Sequence, residues 1–232
     1  MIKSRPDPPG SFVDTASRRK RAGSSRARAV SVGAVRGAQT GEPALGIREM
    51  TTVVPLRERP DLCDFFARRF ESEWSSWYGP GGRGDAAADL RAFANPGGDL
   101  PVAVVALDDF GSAVGIAALR ATSIDSYAHV GPWASAGYVI PERRRQGIGA
   151  SLLSALLVEA RRLGFHTIYC ATASAVRLLE REGWSRIDTV MRDGSTQFIF
   201  SRTVPATVAS KPRRDDSHGA RCVGLGGDCA GS

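Results

Sequence analysis

Apolar positions along this chain follow two periods, and the switches between them outline a succession of strands and helices. Met50–Val54 is rich in β-branched residues and reads as a first strand. Leu62, Phe65, Phe66 and Phe70 then recur at three- and four-residue spacing, which predicts a helix opening at Pro60-Asp61. Gly79-Pro80-Gly81-Gly82 breaks the pattern, and Asp85 is placed to cap a second short helix through Phe93. Val102–Leu107 and Ala113–Arg120 flank the turn Asp108–Gly111 and read as a hairpin. Trp133–Ile140 is the next strand, ended by Pro141. A helix follows from Gly147 to about Leu163, with Ile148, Leu152, Leu156 and Leu163 on one stripe and a stop at Gly164. Strand His166–Ala171, a helix from about Ser174 to Glu182, and strands Trp184–Met191 and Gln197–Thr203 complete the pattern. This order implies one mixed α/β sheet with helices on its faces.

The ends of the chain have a different character. Residues 1–44 are rich in Pro, Gly, Ser and Arg without sustained periodicity and read as a disordered basic arm. Residues 205–232 read as a disordered tail, leaving residues 45–204 as one folded domain. The formal charge of +7 suggests a nucleic-acid or membrane partner, but its location changes that picture. The excess of basic residues sits within the first 41 positions, whereas the expected domain is near neutral, so nucleic acid is not the partner expected of the domain. The arm's Arg-, Ser- and Ala-rich composition also resembles an organelle transit peptide. A disordered extension, or sequence upstream of a start near Met50, is the preferred reading.

No apolar run approaches the ~20 residues that span a bilayer, so no membrane partner is expected. Cys63, Cys170, Cys222 and Cys229 form no Cys-x-x-Cys pair and have no histidine at zinc-ligand spacing, so no metal site is expected. Nothing in them requires an oxidising compartment, and a cytoplasmic location is the expectation.

The segment that carries chemistry is Ala136–Gly149, in which a strand ends at Pro141, a basic loop follows, and two glycines open an amphipathic helix. The first turn of a helix presents unpaired N–H groups and the positive end of the macrodipole. Glycines there admit a phosphate, and arginines supply charge-assisted donors. The expected ligand is therefore an anion such as a pyrophosphate. A P-loop would need lysine after the second glycine, and a dinucleotide fold would need glycine where Leu152 stands.

Arg144-Arg145-Gln146-Gly147-Ile148-Gly149 resembles the Arg/Gln-x-x-Gly-x-Gly/Ala signature of the GNAT superfamily of N-acetyltransferases. Tyr-Val-x-Pro-Glu upstream and Leu178–Trp184 downstream are similar to flanking segments of that family, and the likeness covers roughly residues 45–203. It implies the GNAT-like acyl-CoA N-acyltransferase fold: a mixed, mostly antiparallel sheet of about seven strands flanked by helices. It also implies acetyl-CoA as acyl donor and cosubstrate, an amine acceptor, and direct transfer without a covalent enzyme intermediate. Backbone groups around Tyr138 and Val139 would meet the pantetheine arm where the strand splays from its neighbour. The N–H groups of Arg144, Arg145, Gln146, Gly147, Ile148, Gly149 and Ala150 would hold the pyrophosphate.

Two departures from the family pattern stand out. Leu179 aligns with the tyrosine that often protonates the leaving thiolate; Tyr169 is a nearby hydroxyl, but its place on a strand is read first as core packing. The strand from Trp133 lacks the glutamate that some relatives use as a base, and Asp125 and His129 precede it in a loop. No catalytic residue is assigned. Glu73, Trp74, Trp77 and Tyr78 form an aromatic and acidic group suited either to a cationic amine or to ordinary core packing. The rival functions are a non-catalytic acyl-CoA-binding relative and an interaction module driven by the basic arm.

Overall fold

The computed structural model describes residues 51–192 and 194–206. The arm at residues 1–44, nearly all of the expected tail, Cys222 and Cys229 lie outside the described residues. The strands are β1 (Thr52–Pro55), β2 (Val102–Leu107), β3 (Ala113–Arg120), β4 (Trp133–Val139), β5 (Thr167–Thr172), β6 (Ser185–Arg192) and β7 (Ser195–Thr203). The helices are α1 (Cys63–Glu73), α2 (Ser75–Tyr78), α3 (Ala86–Phe93), α4 (Ile148–Arg162) and α5 (Val176–Arg181).

Three helices stand before β2 where the sequence pattern predicts two. Pro60–Leu62 forms a 3₁₀ turn, so α1 proper begins only at Cys63. Trp74 leaves helical geometry at φ −118° and ψ 50°, which separates α1 from the single turn of α2. Asp85 caps α3 as its position suggests, its carboxylate accepting from the Ala88 N–H at 2.9 Å.

The strands form one seven-stranded sheet in the order β1-β2-β3-β4-β5-β7-β6. Every neighbouring pair is antiparallel except β4 and β5. That parallel pair shares only two rungs, Trp133 with Tyr169 and Ala134 with Cys170. Beyond them β4 runs on to Val139 with β3 as its partner. The register between β3 and β4 also slips: Ile116 faces Tyr138 while Ala118 faces Ser135, so β4 carries one extra residue. Ala136 takes φ +50° there. Such a bulge bends its strand and increases local twist, and here it accompanies the parting of β4 from β5.

Helices cover both faces of the central strands, which explains why β2 is a continuous apolar run instead of an alternating one. Val102, Val104 and Ala106 pack with Leu152, Leu153, Leu156 and Ala160 of α4. Ala103, Val105 and Leu107 pack on the other face with Phe66, Phe70, Leu90 and Phe93 of α1 and α3. A third, smaller cluster unites Ile124, Trp133, Ala171 and Ile199. The start of α4 lies very close to β3 at Gly115, where an added Cβ would come within 3.1 Å of Leu152 Cδ1 and 3.2 Å of Ile148 Cγ2. Farther along α4, the buried Glu159 carboxylate is held by Arg57 at 3.2 Å and Arg162 at 2.9 Å. Two partners offset the cost of burying that charge.

Cys170 is fully buried between the helices and the sheet. Burial pushes its thiol up to about 12 from an ordinary 9.0. The unfolded chain therefore loses this proton first, and the thiol's stabilising contribution is complete below the unfolded value. It declines as pH rises from there toward the folded value, by about 1.4 kcal/mol per pH unit. Guanidinium unfolding between pH 8 and 10.5 should show that Cys170→Ala flattens the slope, by an amount that grows toward this value at the alkaline end. Equal slopes in the two proteins would contradict it.

Candidate functional site

The loop after β4 contains two consecutive devices that expose backbone N–H groups. Arg145 takes φ +66° and Gly147 takes φ +89°, so the chain curls sharply before α4 begins at Ile148. An L side chain pays about 1–2 kcal/mol in such a left-handed conformation, whereas glycine does not. No side chain caps α4 at Gly147. Ser151 N–H donates to Gly147 at 3.1 Å, which is the first bond of the helix. The amides of Ile148, Gly149 and Ala150 precede it and have no acceptor within the helix. They point outward from the helix end and carry the positive end of its dipole.

These amides border a cleft of about 360 Å³ lined by Gly137 and Val139 of β4, the Arg143–Arg145 and Gly147–Ala150 segments, and Leu178, Arg181 and Glu182 from the α5 region. Of the nine residues singled out from sequence, seven meet here: Val139, Arg144, Arg145, Gly147, Ile148, Gly149 and Ala150. Tyr138 and Gln146 are not among the lining residues. The Gln146 side-chain amide donates back to the Glu142 carbonyl at 3.3 Å.

Strand geometry accounts for Tyr138. Ile140 N–H donates to Val114 at 3.0 Å, so the alternation of antiparallel bonds turns the backbone of Tyr138 toward Ile116 of β3. The same alternation turns the N–H and C=O of Val139 away from β3, toward the gap left by β5. The Tyr138 ring lies on the α1 side of the sheet, edge-on to Trp74 with centroids 6.5 Å apart. Its burial raises the phenol above the usual tyrosine range.

Arginines crowd the loop, but the Arg144 side chain turns back toward the sheet. Its Nε donates to the Val139 carbonyl at 2.9 Å, and a terminal nitrogen meets Glu73 at 3.4 Å. Arg145 is exposed at the rim, and Arg181 is also exposed there, 3.4 Å from Glu182.

Gly137, Arg143, Leu178, Arg181 and Glu182 join the cleft without having been singled out from sequence. Gly137 was within reach, because period-2 alternation puts it on the same face as Val139. The α5 residues depend on how that helix packs, which no local pattern encodes. Leu178 lines the cleft from α5 together with Arg181, and Leu179 is fully buried in the core. Neither leucine offers a hydroxyl.

The other candidates for proton transfer sit elsewhere. Tyr169 packs against Trp133 with ring centroids 5.5 Å apart. Asp125 and His129 are exposed in the loop before β4, where His129 stacks on Tyr127 at 6.0 Å. The Tyr127 hydroxyl donates to Asp188, which raises the phenol and lowers the carboxyl. Trp74, Trp77 and Tyr78 are core residues, and the Tyr78 hydroxyl donates to Asp89 at 2.7 Å. Packing thus explains this aromatic group. Ser135 on β4 and Gln197 on β7 each bury a side-chain oxygen that has no hydrogen-bond partner among the described residues.

The family profile described as "Acetyltransferase (GNAT) domain" matches residues 100–186, the stretch from β2 into β6 that contains the whole cleft. Over that stretch the chain is similar to a GNAT acetyltransferase domain. Solved structures share its architecture. An aminoglycoside 6'-N-acetyltransferase complexed with coenzyme A has a TM-score of 0.54 and 18% identity, over 67% of this chain and 98% of that one. The aminoglycoside 6'-N-acetyltransferase of Enterococcus faecium gives 0.52 and 17%, over 67% and 98%. The yncA protein of Salmonella typhimurium, solved with its cofactor acetyl-CoA, gives 0.52 and 18%, over 70% and 99%. No curated protein matches by sequence. At these identities the likeness establishes the shared GNAT fold. No helix among the described residues is long and apolar enough to cross a membrane.

Proposed function

We propose that the GNAT domain binds acetyl-CoA in the cleft beside α4 and transfers its acetyl group directly to an amine. The observation that carries this reading is the uncapped α4 N-terminus, whose free amides follow two left-handed residues and open onto a basic cleft. Such a turn suits a pyrophosphate. The outward-facing N–H and C=O of Val139 suit an amide-bearing arm that takes the place of the missing strand. In this reading Arg145, Gly147, Ile148, Gly149 and Ala150 hold the phosphates through backbone groups, and Val139 orients the pantetheine.

In the transfer, the amine nitrogen attacks the thioester carbonyl carbon, the new N–C bond forms and the C–S bond breaks. The sulfur leaves with its electron pair, and the nitrogen gives its extra proton to solvent. A thiol of pKa ~8.5 leaves tolerably without a dedicated acid, which fits the aliphatic Leu178 and Leu179. We place the catalytic unit at residues 45–204, between accessory termini, and the protein in the cytoplasm. Isothermal calorimetry with acetyl-CoA, followed by a thiol-release assay over a panel of amines, tests both parts. Absence of acetyl-CoA binding would overturn the reading. Binding without turnover of any amine would favour a non-catalytic acyl-CoA receptor, the alternative to which the missing α5 hydroxyl points.

A further inference from the structure

Arg144 occupies the first position of the loop motif, where its charge invites assignment to a phosphate. Its contacts lead in another direction. Nε donates to the Val139 carbonyl, the backbone group turned toward the gap between β4 and β5. A terminal nitrogen pairs with Glu73, the last residue of α1, on the opposite face of the sheet from α4. The guanidinium also lies 5.8 Å from the centroid of the Tyr138 ring. Both charged side chains are largely buried, at 18% exposure for Arg144 and 23% for Glu73. A partly buried, charge-assisted pair of this kind fixes geometry better than an exposed one.

Glu73 adjoins Trp74, the residue at which the backbone breaks between α1 and α2, and Trp74 packs on Tyr138 of β4. A single arginine thus joins three features: the end of β4, the loop before α4, and the α1–α2 junction. A carbonyl has two lone pairs, so Val139 can accept from Arg144 and still offer one to a bound amide.

We propose that Arg144 is a positioning residue that holds β4 in register with the α1–α2 junction, and that it does not serve as a counter-charge for the donor's phosphates. The inference rests on the acetyl-CoA reading above and deepens it. Two fragments separate the roles: S-acetylpantetheine, which has the thioester arm without the diphosphate, and 3'-phosphoadenosine 5'-diphosphate, which has the phosphates without the arm. Arg144→Met should weaken acetyl-CoA and S-acetylpantetheine by a similar factor, about tenfold for the loss of a charge-assisted bond, and leave the phosphate fragment within twofold. Glu73→Gln, which cuts the far end of the same link, should weaken S-acetylpantetheine in the same direction by a smaller factor and leave the phosphate fragment within twofold.

A loss confined to acetyl-CoA and the phosphate fragment would overturn the assignment and leave the acetyl-CoA reading intact. If the wild-type protein binds no acetyl-CoA, that reading falls first and this inference with it. Should Arg144→Met fail to fold, Arg144→Lys keeps the charge without the planar fork. Under the proposal it shows the same loss toward S-acetylpantetheine. Under a phosphate role it retains wild-type affinity for both fragments.

Discussion

Gly147→Glu is expected to abolish measurable acetyl-CoA binding, with at least a hundredfold loss of affinity by calorimetry. Two effects combine at this position. The new carboxylate would sit at the mouth of α4, where the proposed pyrophosphate already brings negative charge. Two unit charges about 4 Å apart repel by about 4 kcal/mol at the effective dielectric of a protein surface, which exceeds the ~2.7 kcal/mol equivalent to a hundredfold change. The second effect is conformational, because any side chain at φ +89° is strained. Gly147→Ala separates the two. An added Cβ meets nothing within 4 Å, so alanine brings strain without a clash or a charge. It should lower stability by about 1–2 kcal/mol and weaken binding by much less than glutamate does. Similar losses of affinity in the two variants would mean that loop shape, not charge, governs the site. Unchanged affinity in Gly147→Glu would remove the cleft from consideration as the donor site.

The legibility of this loop in the sequence has a physical reason. Gly147, the helix it opens and the arginines before it lie within a few residues of each other, so local chemistry specifies the anion site. The strand pattern was equally local, and β2 to β4 appear close to where short apolar runs and turn residues place them. Ala136 shows the opposite case. Its φ of +50° creates the bulge in β4, but alanine carries no mark of a left-handed backbone. The partner of Arg144 is 71 residues away in sequence, so motif reading could note its charge but could not foresee its direction. Trp74, Trp77 and Tyr78 looked like a possible cage because aromatic residues near an acid suit either a ligand or a core. Only the packing against Phe70 and Tyr138 decides between them. The break at Trp74 was missed for a related reason: helix periodicity tolerates one non-helical residue when both flanking turns keep their apolar faces.

The largest loss of stability is expected from Trp133→Ala. Trp133 is fully buried and heads β4 at the first of the only two rungs shared with β5. Its ring meets Tyr127 and Tyr169 at centroid distances of 6.0 and 5.5 Å, and its Nε1 donates to the Val130 carbonyl at 2.8 Å. Truncation removes a large apolar surface, both ring contacts and that hydrogen bond, and leaves a cavity in the smallest of the three core clusters. Large-to-small changes of this type cost about 3–5 kcal/mol, a substantial part of the 5–15 kcal/mol that stabilises ordinary domains. Trp133→Phe keeps most of the apolar volume and loses the indole N–H, so about 1–2 kcal/mol should go, with the Val130 carbonyl left to find another donor. The join between the two halves of the sheet rests on so few rungs that side-chain packing must supply what backbone pairing does not. Urea unfolding of the two variants measures this directly. If Trp133→Ala costs less than about 2 kcal/mol, β4 and β5 are held together chiefly by α4 and α5 on the opposite face, and the gap that admits the donor does not depend on this ring.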